Sequence, residues 1–259
     1  MTAGPDDPEE TGAPDGRRGA GRKLFGRRKG KRLKPAQERA LAEVLPRLAI
    51  PGAAPAGDPA RAPVDPAALF GDSRPVWLEI GFGSGEHLAR LAAAHPEIGF
   101  LGAEPFVNGV AALLGRIEAA GLGNVRIHPG DARDLIEVLP EARLARVYLL
   151  YPDPWPKTRH RERRFASRET LAALGRVMAP GAELRLATDI EEYVGHAVRE
   201  AAAAGFAVEG GPQDWTAPWP GWAPTRFEAR ALREGRPPRY LVFRWRAADV
   251  TTRGYSASH

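Results

Sequence analysis

From about residue 75 onward, short apolar runs alternate with amphipathic stretches, and this alternation restricts the possible folds more than any single residue does. Val76-Trp77-Leu78-Glu79-Ile80 reads as a first strand, Phe100-Leu101-Gly102-Ala103 as a second and Asn124 to His128 as a third. Arg146 to Tyr151 and Ala182 to Ala187 read as the fourth and fifth, with Phe206-Ala207-Val208 and Tyr240 to Trp245 as the last two. Between them, apolar residues recur at helical spacing: Leu88, Leu91, Ala92 and His95, then Val107, Val110, Leu114 and Ile117. Further helices are expected over Asp131 to Leu139, 168–178 and Ile190 to Ala204. Gly121 and Gly123 end one of these, and Pro180-Gly181 ends another. Strands that alternate with helices at this spacing need right-handed crossovers. The pattern therefore predicts an α/β fold, doubly wound around a mostly parallel seven-stranded sheet of the Rossmann-like type.

The remainder of the chain divides by composition. Residues 1–34 are rich in Gly, Pro and charge and have little to bury, so a disordered basic tail is expected there. Residues 35–73 read as an amphipathic helix carrying Leu41, Val44, Leu45 and Leu48, followed by a linker marked by Pro51, Pro55, Pro59, Pro63 and Pro66. The folded domain is placed at 74–247 and a C-terminal tail at 248–259. The net charge of +5 is uneven: residues 17–34 hold ten Lys or Arg and no acid, which leaves −5 for everything else. This basic run is either a solvated extension or an arm that lies on phosphates. The absence of cysteine excludes disulfides, thiolate metal sites and a cysteine nucleophile. The six histidines are scattered, so no metal site is expected. No apolar run approaches membrane-spanning length and no signal peptide is evident, which makes a cytoplasmic protein the default expectation.

The chemistry concentrates between Tyr151 and Phe165. The fourth strand runs into Pro152-Asp153-Pro154-Trp155-Pro156, where proline ends any ladder and stiffens the corner around one carboxylate. Six basic residues and one acid follow between Lys157 and Arg168. Ligands of doubly wound sheets bind beyond the carboxyl ends of the strands. Glu79, Glu104, Asp131, Asp153 and Asp189 all fall at that rim, one for each of the first five strands. Each could have a local duty, such as an N-cap at Asp131. Five at one edge are not a chance arrangement, and the acids near the first three strands fit a ligand with hydroxyls, amines and positive charge.

The loop Gly81-Phe82-Gly83-Ser84-Gly85 allows a tight turn and close backbone approach. It departs from the dinucleotide fingerprint, because the third glycine is replaced by Glu86, whose charge would repel a pyrophosphate at the helix N-terminus. With Glu104 about twenty residues on, placed to take two ribose hydroxyls, the preferred ligand is a nucleoside without phosphate, and S-adenosylmethionine fits that description.

These segments resemble the bacterial tRNA (guanine-N7)-methyltransferases of the TrmB type. The resemblance rests on Leu78 to Gly85, Glu104, Gly130-Asp131-Ala132, Pro152 to Lys157, Ala187-Thr188-Asp189 and Thr225-Arg226-Phe227-Glu228, which stand in the family's order. It covers about residues 74–246 and implies a class I S-adenosylmethionine-dependent methyltransferase fold. It also implies that Glu79, Gly81, Gly83, Glu104, Asp131 and Asp153 serve the cofactor, S-adenosyl-L-methionine, with Asp153 catalytic as well. Lys157, Asp189, Thr225, Arg226, Phe227 and Glu228 would hold the guanosine. Arg159, His160, Arg161, Arg163 and Arg164 would follow the RNA backbone. The implied target is the guanine at position 46 of the tRNA variable loop. Arg226 stands where lysine is common, and Pro105-Phe106-Val107-Asn108 replaces the usual residues after Glu104.

Several points stay open at the level of sequence. Trp155 either supports its loop or stacks on a base. The stretch 211–224, with Trp215, Trp219 and Trp222, is either a lid that delivers Thr225 to Glu228 or an irregular loop packed for its own sake. Two rival functions fit parts of the pattern: methylation of an exocyclic amine, and RNA binding with a degenerate cofactor pocket. The Pro-Asp-Pro-Trp order speaks against the first, and the intact acids and glycines against the second. Monomer and homodimer are equally compatible with the sequence.

Overall fold

A computed structural model describes residues 28–222 and 224–246. Seven strands form one sheet: β1 (Val76–Ile80), β2 (Gly99–Ala103), β3 (Val125–His128), β4 (Leu144–Leu150), β5 (Met178–Thr188), β6 (Phe206–Val208) and β7 (Arg239–Trp245). Their order across the sheet is 3-2-1-4-5-7-6. The pairs among β1 to β5 are parallel, and β7 runs antiparallel between β5 and β6. The expected doubly wound, mostly parallel sheet is what the chain forms. The order reverses at β1 and β4, which opens a crevice beyond their carboxyl ends.

One face of the sheet packs on α6 (Ala132–Val138), α7 (Arg168–Val177) and α8 (Glu191–Ala203) through Leu78, Ile80, Val147 and Leu184. The other face packs on α4 (Glu86–Ala94) and α5 (Val107–Ala120) through Phe100, Val125 and Ile127. Over β4, β5 and β7 this second face is roofed by Trp219 of the tryptophan-rich loop, which sits on Tyr148 and Tyr240. That loop therefore packs against the sheet where a helix would otherwise lie.

The N-terminal amphipathic stretch is helical throughout: α1 (Pro35–Arg39), a π-helical turn (Ala40–Val44) and α2 (Leu45–Leu48) run on without a break. The proline-rich stretch after it is fastened to the domain rather than loose. Ile50 N–H donates to Ile127 O at 2.9 Å and Val64 N–H to Val138 O at 3.0 Å, while Ile50, Ala53 and Val64 are buried. It also contains a short helix, α3 (Pro66–Phe70), with Asp65 as N-cap and Gly71 in the left-handed conformation at its end. Residues 28–34, which composition assigns to the basic tail, lie against the N-terminus of α5. The rest of that tail, residues 1–27, and the C-terminal tail from 247 lie outside the described residues.

Candidate active site

A hollow of about 520 Å³ opens at the crevice, a volume usual for a small-molecule site. Gly81 and Gly83 after β1, Glu104 and Phe106 after β2, and Asp131 after β3 line one part of it. Tyr151, Asp153 and Trp155 after β4 line another, with Arg226 and Phe227 from α9 (Arg226–Arg233).

The glycine loop takes its shape from Glu104. Gly83 N–H donates to Glu104 Oε2 at 2.7 Å, and Phe106 N–H donates to Oε1 at 2.9 Å. Gly83 has a φ of 56°. It passes so close to α5 that a Cβ on Gly109 would lie 2.2 Å from the Gly83 carbonyl oxygen. Burial, with the Asp153 charge assisting, raises the Glu104 pKa above the ordinary glutamate value, against the pull of the two N–H donors. Asp131 is the N-cap of α6, accepts from Arg133 N–H, and holds the Arg133 guanidinium as an ion pair.

The corner after β4 is strained. Tyr151 and Trp155 have φ values of 49° and 39°, a region that side-chain-bearing residues rarely enter. Arg164 holds the corner in place: its Nε donates to Pro154 O at 2.7 Å, and its Nη2 to Trp155 O at 3.2 Å and Glu192 Oε1 at 3.0 Å. Asp153 is exposed and makes no hydrogen bond or ion pair among the described residues, so its carboxylate is available to a ligand.

On the far side, Phe227 stacks on Tyr151 at 6.3 Å and 20°, and the Arg226 guanidinium lies 5.0 Å from the Phe227 ring centre. Glu228, buried beneath them, fixes this arrangement. Its Oε2 accepts from Trp222 Nε1–H at 2.7 Å and from Tyr151 O–H at 3.2 Å. The Tyr240 phenol lies beside the same carboxylate; burial, then the neighbouring Glu228 carboxylate, raises both tyrosine pKa values, so both phenols stay protonated. Thr225 caps α9 by accepting from Glu228 N–H. The tryptophan loop thus both roofs the sheet and anchors the start of α9.

Gly81, Gly83, Glu104, Asp131, Asp153, Arg226 and Phe227 come together around the hollow, and several residues expected there do not. Glu79 faces the opposite side of β1 from Leu78 and Ile80; it is buried and accepts from His87 Nδ1 at 2.7 Å, tying β1 to α4. Glu228 and Thr225 are not among the lining residues: Glu228 is buried behind Tyr151, and Thr225 is occupied as the cap of α9. Asp189 pairs with Arg236 at 2.6 Å, and Lys157 is exposed outside the lining residues. Arg164 needs correction as a candidate RNA contact, because its side chain is 1% exposed and is used up in holding the corner. Arg159 and Arg161 are exposed, and Arg161 also pairs with Glu192. His160 is half-buried, and Arg163 lies 5.1 Å from the Trp155 ring centre at the edge of the hollow. Sequence reasoning missed Phe106 and Tyr151 as lining residues and Gly109 as the partner of the glycine loop.

Among the described residues, no helix is long and apolar enough to cross a membrane, and no group of three or more His, Cys, Asp or Glu side chains could hold a metal ion.

Comparison with known proteins agrees with this architecture. The family described as "Putative methyltransferase" matches residues 73–239. A tRNA (guanine-N(7)-)-methyltransferase of Paracoccus denitrificans is 54% identical over 227 residues, covering 87% of this chain and 96% of the relative. The protein of that name from Cereibacter sphaeroides is 52% identical over 239 residues, 90% of this chain and 97% of its own. The one from Nitrobacter hamburgensis is 45% identical over 259 residues, 94% and 97% respectively. Identity at this level over nearly the whole of each relative leaves one assignment: the chain belongs to the tRNA (guanine-N(7)-)-methyltransferase family.

Proposed function

We propose that this chain transfers a methyl group from S-adenosyl-L-methionine to N7 of a guanine in tRNA, at position 46 of the variable loop. The observation that carries the reading is the hollow itself. Glu104 and Asp131 line it on one side, and the unpartnered Asp153 lines it on the other.

The residues fit the cofactor. Each Glu104 oxygen already accepts one backbone N–H and keeps a second lone pair, as an acceptor for two ribose hydroxyls requires. Asp131, beyond it after β3, suits an amine donor. The glycine loop lets backbone come close, and no built-in phosphate cradle competes. When bound, S-adenosylmethionine supplies an electrophilic methyl group on a sulfonium.

Guanine N7 has a free lone pair and no proton to lose, so the protein has no general base to provide. Its task is to hold N7 in line with the methyl group. The base gains positive charge as the bond forms. A carboxylate that interacts more strongly with the cation than with the neutral base lowers the barrier selectively. Asp153 is assigned that role, since the rigid corner presents it without an internal partner. Phe227 and Tyr151 form an aromatic wall against which a base can lie, and Arg226 supplies a cation at the rim. Arg159, Arg161 and Arg163 contribute salt-dependent affinity for the RNA backbone. Glu79 and Glu228 act behind the site by positioning α4 and α9.

The test is to incubate the protein with unfractionated tRNA and methyl-labelled cofactor, then to cleave chains chemically at 7-methylguanosine and map the break. Label that co-localises with scission in the variable loop is expected. Label released as an N6- or N2-methylated nucleoside, or no transfer at all, would overturn the reading.

A further inference from the structure

The segment 28–34 carries five cations, Arg28, Lys29, Lys31, Arg32 and Lys34, and no acid. It is held to the domain through its backbone. Val107 N–H donates to Arg28 O at 3.0 Å. The Asn108 side chain uses both ends of its amide: Oδ1 accepts from Gly30 N–H at 2.7 Å, and Nδ2 donates to Lys31 O at 2.7 Å. Gly30 lies against the Phe106 ring, so close that a Cβ there would stand 2.8 Å from it. Phe106 is itself a wall of the hollow.

Backbone anchoring leaves the cationic side chains unused. All five are exposed, and none pairs with a carboxylate among the described residues. A charge run that only solubilised the chain would need no register. This one is registered by an asparagine, a glycine and an aromatic ring in three separate contacts.

The placement is also informative. The strap packs on Phe106, which lines the hollow on the β2 side, while Arg163 lines it on the β4 side, with β1 between them. A hollow lined by carboxylates repels a polyanion, and the chain outside residues 17–34 carries −5 overall. Fixed cations on both banks would offset that repulsion where the RNA must come closest.

We infer that residues 28–34 are a fixed cationic strap that holds the phosphodiester backbone of the substrate RNA on the β2 side of the active site. This rests on the functional reading above and adds a second RNA-binding bank to it. Such contacts give affinity without sequence preference and weaken steeply with salt.

The test uses the full-length chain and bulk tRNA, with binding measured by fluorescence anisotropy from 50 to 200 mM salt, independently of turnover. Replacing Lys29, Lys31 and Arg32 together by Gln should lower the slope of log affinity against log salt by about 2, at roughly 0.7–0.9 per lost phosphate contact. Cofactor affinity, read by calorimetry, should stay within about twofold. Asn108→Ala keeps every charge but frees the strap, and should raise KM for tRNA several-fold with kcat nearly kept. An unchanged salt slope in the triple variant overturns the inference. So does a loss of cofactor affinity without a change in tRNA binding, which would make the strap a cover for the cofactor. A wild-type chain that fails to methylate tRNA sinks the functional reading. An active wild type with indifferent strap variants sinks only the strap.

Discussion

Glu228 separates two explanations of α9 that a sequence cannot tell apart. Family resemblance implies that it grips the substrate, whereas the structure has it 5% exposed and bonded to Trp222 and Tyr151, with Tyr240 alongside. Glu228→Ala would leave two donors facing a void. A hydrogen bond to a charged acceptor contributes about 1.5–3 kcal/mol, and the low end applies because both donors are only half-buried. The expected loss is about 3 kcal/mol, or roughly 6–12 °C in Tm for a chain of this size. Glu228→Gln keeps the shape and one acceptor oxygen but removes the charge, so about half that loss is expected, with partial recovery of kcat. Thermal unfolding and steady-state methyl transfer on tRNA give both readouts. A Glu228→Ala enzyme with wild-type Tm and only a raised KM for tRNA would refute the reasoning, because the carboxylate would then be touching RNA.

Other outcomes follow from the site. Asp153→Ala should lower kcat about a hundredfold, the scale of a lost charge-stabilising group, while cofactor affinity changes little; near wild-type turnover would remove Asp153 from the mechanism. Gly109→Ala forces a Cβ against the Gly83 carbonyl and should weaken cofactor binding about tenfold, equivalent to ~1.4 kcal/mol, and unaltered calorimetry would show that the loop gives way freely. Burial raises the Glu104 pKa, so its acceptor form is lost at a higher pH than for a free glutamate. Cofactor affinity should therefore fall on acidification sooner than a free glutamate would allow, although the folded state takes up that proton more readily than the unfolded chain and is not weakened by it. Glu104→Gln should flatten this dependence, and a wild-type profile no different from that of Glu104→Gln would contradict the assignment.

Much of the fold was legible because strands buried on both faces leave continuous apolar runs: β1 falls on its run and β2 starts one residue before its own, at Gly99. β5 begins earlier than expected, at Met178, because pairing with Leu144 draws Met178 to Thr188 into one irregular strand despite Pro180. The helices α3 and α9 were missed although their signals were present. Asp65 before Pro66, with Gly71 after, marks α3, and the Thr225-x-x-Glu228 spacing is that of a capping box. Both lay in stretches whose proline content suggested linker or lid. The position of Glu79 follows from strand alternation, which sets it opposite Leu78 and Ile80. Nothing local distinguishes Arg164 from Arg163 or Arg161. Its burial comes from α8, some thirty residues on, which brings Glu192 and Tyr193 to its guanidinium.

The aromatic roof over β4, β5 and β7 bears on where the fold is least firmly held. A helix carries its own hydrogen-bonded ladder, whereas the stretch around Trp219 and Trp222 relies on ring packing and a few tethers such as Trp215 Nε1–H to Glu209 O. Amide hydrogens there should exchange sooner than those of α7 or α8 on the opposite face. Since Trp222 shares the Glu228 carboxylate with Tyr151, opening of the roof would also loosen the tyrosine that stacks on Phe227 beside the hollow.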